Sequence, residues 1–105
     1  MKNMFDIMKQ AQQLQSRMAS MQQELEAAEV EGRAGGGMVS VVMSGNGEVK
    51  KVSVDPSLMK EDEREILEDL IVAACADAKS KAEQLAAEKM KSVTGGLPLP
   101  PGLGL

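Results

Sequence analysis

The first 29 residues place apolar side chains at steps that alternate between three and four positions. This segment contains neither glycine nor proline, and glutamine and glutamate fill much of the remainder, which favours a helix. The spacing predicts an α-helix from about Asn3 to Ala28 with a narrow apolar stripe of the coiled-coil kind. The stripe consists of Met4, Ile7, Ala11, Leu14, Met18, Met21, Leu25 and Ala28.

Valine, serine and glycine become frequent between residues 30 and 55. A short strand is predicted near Val30–Ala34, followed by the triple glycine Gly35–Gly37. The sequence SGNG at residues 44–47 separates two valine-rich runs and predicts a β-hairpin, because Asn and Gly both tolerate positive φ. The triple glycine could cradle a phosphate. It lacks the Lys-Ser/Thr of a P-loop and no helix follows it, so a break between strands is the favoured interpretation.

A second long helix is predicted for the last third of the chain. The Asp62–Glu65 spacing is typical of a capping box, and helical periodicity continues to about Val93. Glycine and proline dominate residues 95–105, which predicts a flexible tail after a domain of residues 1–94. The expected fold is therefore α+β, in which a long helix, a small antiparallel three-stranded sheet and a second long helix follow one another.

Helices of these lengths cannot be contained in a compact monomer of 105 residues. They would span roughly 40 Å and 48 Å, against a radius of gyration of about 13 Å for a compact chain of this size. We therefore expect a homodimer with projecting helical arms. Which apolar stripe forms the dimer and which forms the subunit core stays open. The residues predicted to form the dimer interface are Val39, Val41, Val52, Val54, Leu67, Leu70, Ile71 and Ala74.

Composition narrows the possible chemistry. Histidine, tryptophan and tyrosine are absent, and there is one phenylalanine and one cysteine. Without histidine, no Ser-His-Asp or Cys-His pair and no imidazole metal ligand can form. We predict a protein that is not an enzyme, with no cofactor and no small-molecule substrate. The longest apolar run, Leu70–Ala76, is far shorter than the roughly 20 residues of a membrane span, so no membrane association and a cytosolic location are expected.

Charge is unevenly distributed along the chain, whose net charge is −4. Acidic residues concentrate in Glu24–Glu31 and Glu61–Asp69. Basic residues lie towards the start of the first helix and the end of the second, at Lys2, Lys9, Arg17, Lys79, Lys81, Lys89 and Lys91. If the two helices are antiparallel neighbours, their basic ends coincide and could contact a polyanion through its phosphates. An ordinary mixed-charge helix surface is the competing interpretation.

Three further features have structural interpretations that we favour over functional ones. The acidic run at residues 61–69 could bind a cation, but a solvated helix start explains it. Cys75 lies among alanines with no histidine to activate it, which indicates a small core or groove residue. The methionines of the first helix, Met4, Met18 and Met21, could form an adaptable peptide groove, but packing is the simpler role.

The chain resembles the YbaB/EbfC nucleoid-associated proteins over nearly its whole length. The segments that carry the resemblance are MKQAQQLQSRMASMQQELE, then VEGRAGGGMVSVVMSGNGEVKKVSVDPSL, then EDLIVAACADAKSKAEQLAAEKM and TGGLPLPPGL. The resemblance implies a homodimer with tweezer-like arms that bind DNA, located in the cytoplasm and on the nucleoid. The DNA-binding residues that it implies here are Lys2, Lys9, Arg17, Lys81, Lys89 and Lys91.

Two functions follow as hypotheses. The leading one is binding of duplex DNA through phosphate contacts with little sequence specificity, because no base-reading array is present. The alternative is a protein-interaction adaptor that offers the Met-rich stripe, or the apolar LPLPP segment of residues 97–101, to a replication, recombination or targeting factor.

Overall fold

The computed structural model describes residues 3–94, so Lys2 and the predicted tail of residues 95–105 lie outside the described residues. The elements are α1 (Met4–Ala27), β1 (Glu29–Ala34), β2 (Val39–Ser44), β3 (Val49–Val54) and α2 (Arg64–Thr94). The predicted α+β order of long helix, three strands and long helix is confirmed. Each predicted helix boundary agrees to within about two residues.

Helix α1 has defined ends. The Asn3 side chain accepts a hydrogen bond from the Asp6 backbone N–H at 2.9 Å, which satisfies one of the free donors of the first turn. At the other end, the Ala28 N–H donates to the Glu24 carbonyl at 2.8 Å while Ala28 itself is extended. The chain therefore passes from α1 into β1 without a loop.

The three strands form one antiparallel sheet in the order β1-β2-β3. A 3₁₀ turn over Gly35–Gly37 joins the first two strands, with φ values of +62°, +67° and +96°, which confirms the interpretation of the triple glycine as a strand break. The predicted hairpin between β2 and β3 is also confirmed. Within the SGNG loop, Gly47 has a positive φ of +93°, whereas Asn46 does not. The Asn46 side chain accepts a hydrogen bond from the Ser44 hydroxyl.

The start of α2 differs from the prediction. Residues Glu61–Glu63 form a 3₁₀ turn that leads directly into Arg64 and the α-helix. The position before this turn belongs to Lys60, whose side chain makes no capping hydrogen bond. The predicted capping box at Asp62–Glu65 is therefore wrong, because Asp62 lies inside a turn and not at the extended position that a cap requires.

The core lies between α2 and one face of the sheet. Alternation along the strands directs Val39, Val41 and Met43 towards α2, where they meet Ala74 and Ala78. Gly32 of β1 makes this approach possible. A Cβ at Gly32 would lie 2.7 Å from the Ala78 Cβ and closer still to the α2 backbone. The small residues on both elements thus allow helix and sheet to pack at short distance.

Several residues that we predicted at a dimer interface are internal to one subunit. Val39, Val41 and Ala74 are 0% exposed, which corrects the prediction for these three. The reason is that α2 folds back over its own β1 and β2 and covers that face itself. Val54, Leu67, Leu70 and Ile71 are partly buried against the same core, while Val52 stays 46% exposed.

The two helices pair antiparallel beyond the sheet and form an arm. Met21 and Leu25 of α1 pack with Val93 of α2, and Leu14, Leu85 and Ala86 surround them. The molecule measures 71 × 25 × 16 Å with a radius of gyration of 19.7 Å. A compact chain of this length would have about 13 Å, so the elongation expected from helix lengths is confirmed.

The β2–β3 hairpin makes a further contact with the base of the arm. The Gly45 N–H donates to the carbonyls of Leu25 and Ala28, at 2.8 Å and 3.1 Å. A Cβ at Gly45 would lie 2.8 Å from the Leu25 carbonyl oxygen, so the hairpin backbone rests directly on the last turn of α1. This contact fixes the end of α1 relative to the sheet.

Candidate nucleic-acid interface

The predicted DNA-binding cations occupy different environments along the arm. Lys9 and Arg17 are exposed on α1, and Lys81 and Lys91 are exposed on α2. Lys89 is half-buried. The antiparallel pairing brings Arg17 beside the last turn of α2, in a shallow groove that it shares with Ser20 and Val93. The structure thus brings the basic ends of the two helices together, and leaves the acidic start of α2 at the opposite end of that helix.

Lys81 serves the subunit's own structure. Its Nζ lies 3.2 Å from Asp77 Oδ2 and donates to the Glu31 backbone carbonyl at 2.7 Å. Asp77 Oδ2 also accepts from the Arg33 backbone N–H at 3.0 Å. These bonds join α2 to the outer edge of β1 and satisfy backbone groups that an edge strand leaves open. Lys81 is therefore a weaker candidate for a phosphate contact than its position in the sequence suggests.

The pKa of Asp77 is lowered from its ordinary value of 3.8, first by the Arg33 N–H and then by the Lys81 side chain. A carboxyl whose folded-state pKa is lowered stabilises the fold above its unfolded-state pKa, and this stabilisation is lost as pH falls through the folded-state pKa. We predict that the free energy of unfolding falls less between about pH 7 and about pH 3 in Asp77→Asn than in the unmodified protein. Urea unfolding at both pH values measures this difference. Glu83→Gln, which removes an exposed carboxylate without a hydrogen bond to the sheet, should leave the difference unchanged.

Lys89 is also engaged within the subunit. Its Nζ lies 3.7 Å from Glu24 Oε2, which connects α2 to α1 across the arm. A surface pair of this kind, with Lys89 half-buried and Glu24 exposed, contributes little stability, about 0–1 kcal/mol. Within residues 3–94, Lys89 therefore has a partner, unlike Lys91.

Three of the six predicted cations make no ion pair among residues 3–94: Lys9, Arg17 and Lys91. All three are exposed and lie on the arm.

Lys79 is a fourth such residue, which we did not include among the predicted site residues. It lines a groove with Gln22 and the hairpin residue Asn46, at the base of the arm. Only the positive charge of Lys79 could have indicated a role from the sequence, and nothing in the pattern distinguishes Lys79 from Lys81.

The fold and the arm define a class of protein: an elongated α+β chain whose paired helices carry cations away from a small sheet. The chain belongs to the YbaB/EbfC DNA-binding family, whose sequence model matches residues 1–97. No helix in the described part of the chain combines the length and the apolar character that crossing a membrane requires.

Relatives of high identity support the assignment. A nucleoid-associated protein of Nitrobacter hamburgensis is 62% identical over 105 residues, covering 100% of this chain and 99% of the relative. A nucleoid-associated protein of Agrobacterium fabrum is 55% identical, with 100% and 98% coverage. The crystal structure of an uncharacterized protein from Helicobacter pylori matches with a TM-score of 0.73 at 20% identity, over 92% of this chain and 98% of that one. This last similarity concerns the fold alone.

Proposed function

We propose that this protein is a homodimer on the bacterial nucleoid that binds duplex DNA through phosphate contacts with little sequence specificity. The observation that carries the proposal is the set of exposed arm cations without an ion pair in residues 3–94, namely Lys9, Arg17 and Lys91. Family membership and the names of the relatives support DNA as the polyanion and the nucleoid as the location.

The expected contacts carry little sequence information. Lysine and arginine side chains spread along two helices reach phosphates at a range of geometries, whereas base reading needs a compact array inserted in a groove. Three cations on each arm give few phosphate contacts. We therefore expect a shallow dependence of affinity on salt, with a log-log slope of about −2 to −5.

A salt titration of the unmodified protein tests the DNA-binding proposal. Fluorescence anisotropy with two duplexes of unrelated sequence should give similar affinities at low salt and the same slope of about −2 to −5 for both. Undetectable binding at low salt and micromolar protein would overturn the proposal. A strong preference for one duplex would overturn its low-specificity part.

The open side of the sheet is the surface that we propose for the dimer. Val49 and Val52 of β3 are 48% and 46% exposed. Leu70 lies beside Gly35 in the turn after β1, and Asp77 bonds to Arg33 of β1, so the opposite flank of α2 is directed towards β3. That flank carries Ile71 and Cys75, both partly buried, and ends in exposed Val72. A second subunit on this side would cover the apolar surface and leave both arms free.

A charge on this surface should weaken the dimer. We predict that Val52→Asp raises the dimer dissociation constant by about 100-fold or more, because an unpaired carboxylate would be desolvated on association. Sedimentation equilibrium measures the change. Ser53→Asp is the matched control: it places the same charge on the neighbouring residue, on the opposite face of the strand, and should leave the dimer intact. Equal effects of the two variants would place the interface elsewhere.

Only part of the Met-rich stripe of α1, on which the adaptor hypothesis depends, is exposed. Leu14, Met21 and Leu25 of the stripe pack in the arm and are not available to a client, whereas Met18 between them is 38% exposed. The stripe stays open from Met4 to Ala11, at the tip of the arm.

A further inference from the structure

The arm has two flanks of different chemistry, one on each side of the seam between α1 and α2. On one side, Arg17, Ser20 and Ser92 line a shallow groove between the helices. On the other side, Gln22 of α1 shares a groove with the β2–β3 hairpin. Met21 packs against α2 between these grooves, so the angle of a residue around the axis of α1 assigns it to one side. We call the two sides the Arg17 flank and the Gln22 flank.

The unpaired cations of α1 both belong to the Arg17 flank. At about 100° per residue, Lys9 and Arg17 are each about 140° away from Gln22 around the helix axis. Both are exposed, and neither makes an ion pair within residues 3–94. Asp6, in the first turn of α1, lies on the same flank. Two cations therefore share this part of α1 with one carboxylate.

The groove of the Arg17 flank adds hydroxyl groups from both helices. Ser16 and Ser20 of α1 and Ser92 of α2 line it, and all three are exposed. Within residues 3–94, none of these hydroxyls makes a hydrogen bond to another group. Glu24 also lines the groove, but its Oε2 lies 3.7 Å from the Lys89 Nζ, which offsets its charge. A guanidinium with several free hydroxyls is a combination that proteins use to contact DNA phosphates.

The Gln22 flank offers little to a phosphate. Met8 and Met18 lie within about 40° of Gln22 around the axis of α1, and they are 57% and 38% exposed. On α2, the groove of this flank contains Lys79 together with Glu83, one turn later. A phosphate on this flank would lose water against methionine side chains, and a carboxylate would stand beside its one cationic partner in the groove.

We propose that duplex DNA lies along the Arg17 flank of each arm, where Lys9, Arg17 and the groove hydroxyls contact its phosphates. The inference rests on the proposed function and names the face of the arm that performs it. Lys79 and Glu83 follow Cys75 at steps of four residues, so the Gln22 flank is on the side of α2 that we propose for the dimer. In that dimer the Arg17 flanks point away from the partner. DNA then runs along the outer sides of the arms and not through the gap between them.

A thiol footprint on α1 tests the proposal. Gln13 lies four residues from both Lys9 and Arg17, on their flank, whereas Gln15 lies about 20° from Gln22. Both glutamines are exposed, so Gln13→Cys and Gln15→Cys form a matched pair two residues apart. With saturating duplex DNA at about 50 mM salt, alkylation by a neutral maleimide should slow about tenfold at position 13 and less than about twofold at position 15.

The readout separates failure of the inference from failure of DNA binding. Mass spectrometry reads each rate, because the introduced cysteine and Cys75 fall in different tryptic peptides. Fluorescence anisotropy of the same samples verifies that the duplex is bound. Equal slowing at both positions, or slowing at position 15 alone, would overturn the proposal and place DNA between the arms. Bound DNA without slowing at either position would also overturn it. Absence of binding would refute the proposed function itself.

A negative charge placed on either flank gives an independent test. Ser20→Glu and Gln22→Glu add the same charge at exposed positions about 200° apart around α1. At about 0.1 M salt the Debye length is about 10 Å, close to the helix diameter of about 10–12 Å, so each charge acts mainly on its own side. Ser20→Glu should lower the affinity for duplex DNA about tenfold, and Gln22→Glu less than about twofold. Equal losses, or a larger loss for Gln22→Glu, in variants that circular dichroism finds folded, would contradict the assignment.

Discussion

Reversing three charges on the arm, with Lys9→Glu, Arg17→Glu and Lys91→Glu together, should lower the affinity for duplex DNA by about 100-fold or more at low salt. In a dimer the change removes six cations and adds six anions beside the phosphates. The loss should be similar for unrelated DNA sequences, because phosphate contacts position a protein without reading bases. Fluorescence anisotropy at about 50 mM salt measures the effect, with circular dichroism to verify the fold.

The control for this experiment is a second triple reversal on the base of the molecule. Lys51→Glu, Lys60→Glu and Arg64→Glu alter the net charge by the same amount, and all three residues are exposed away from the arm. If the arms hold DNA, this variant should lose much less affinity than the arm variant. Equal losses would mean that total charge governs binding, and the assignment of contacts to the arms would fail. Sedimentation should find both variants in the same oligomeric state as the parent.

A single methyl group at Gly32 should destabilise the subunit by about 3 kcal/mol. The added Cβ would meet the α2 backbone at Ala74 and Ala78, and a backbone cannot turn aside as a flexible side chain can. Relief would require α2 to move off the sheet, which opens space around Val39 and Val41. Urea unfolding of Gly32→Ala, followed by far-ultraviolet circular dichroism, measures the loss.

Gly36→Ala is the matched control for this substitution. Gly36 has nothing within 4 Å of an added Cβ, but its φ is +67°. That variant should lose about 1 kcal/mol, the usual cost of a left-handed conformation for alanine. A loss at Gly32 no larger than the loss at Gly36 would mean that helix and strand are not in close contact.

The elements could be predicted because each depends on neighbours in the sequence. The three-four spacing of α1 and the valine runs on both sides of SGNG are local patterns, and the structure forms both as predicted. The antiparallel arm follows from them with one assumption, that two long amphipathic helices joined by a small sheet cover each other. Elongation then follows from helix length alone.

Which element covers each apolar face, and which cations are engaged within the chain, could not be predicted in the same way. The pattern shows that Val39 and Val41 share one face of their strand and Val52 and Val54 one face of theirs, but not that α2 lies over β1 and β2 and leaves β3 half open. Likewise, charge and position did not separate Lys81, which is bonded to Asp77 and to the Glu31 carbonyl, from Lys91. Such distinctions depend on distances between residues about 50 positions apart in sequence, and a pattern of polar and apolar residues contains no distances.

The contact at Gly45 allows the β2–β3 hairpin to affect the position of the far end of α1. Helix α1 is about 36 Å long, and Leu25 at its last turn rests on the Gly45 backbone. Because the displacement grows with distance along the helix, a tilt of about 5° at the hairpin moves the far end of α1 by about 3 Å. In the proposed dimer, substitutions in this hairpin would therefore alter the gap between the free ends of the two α1 helices.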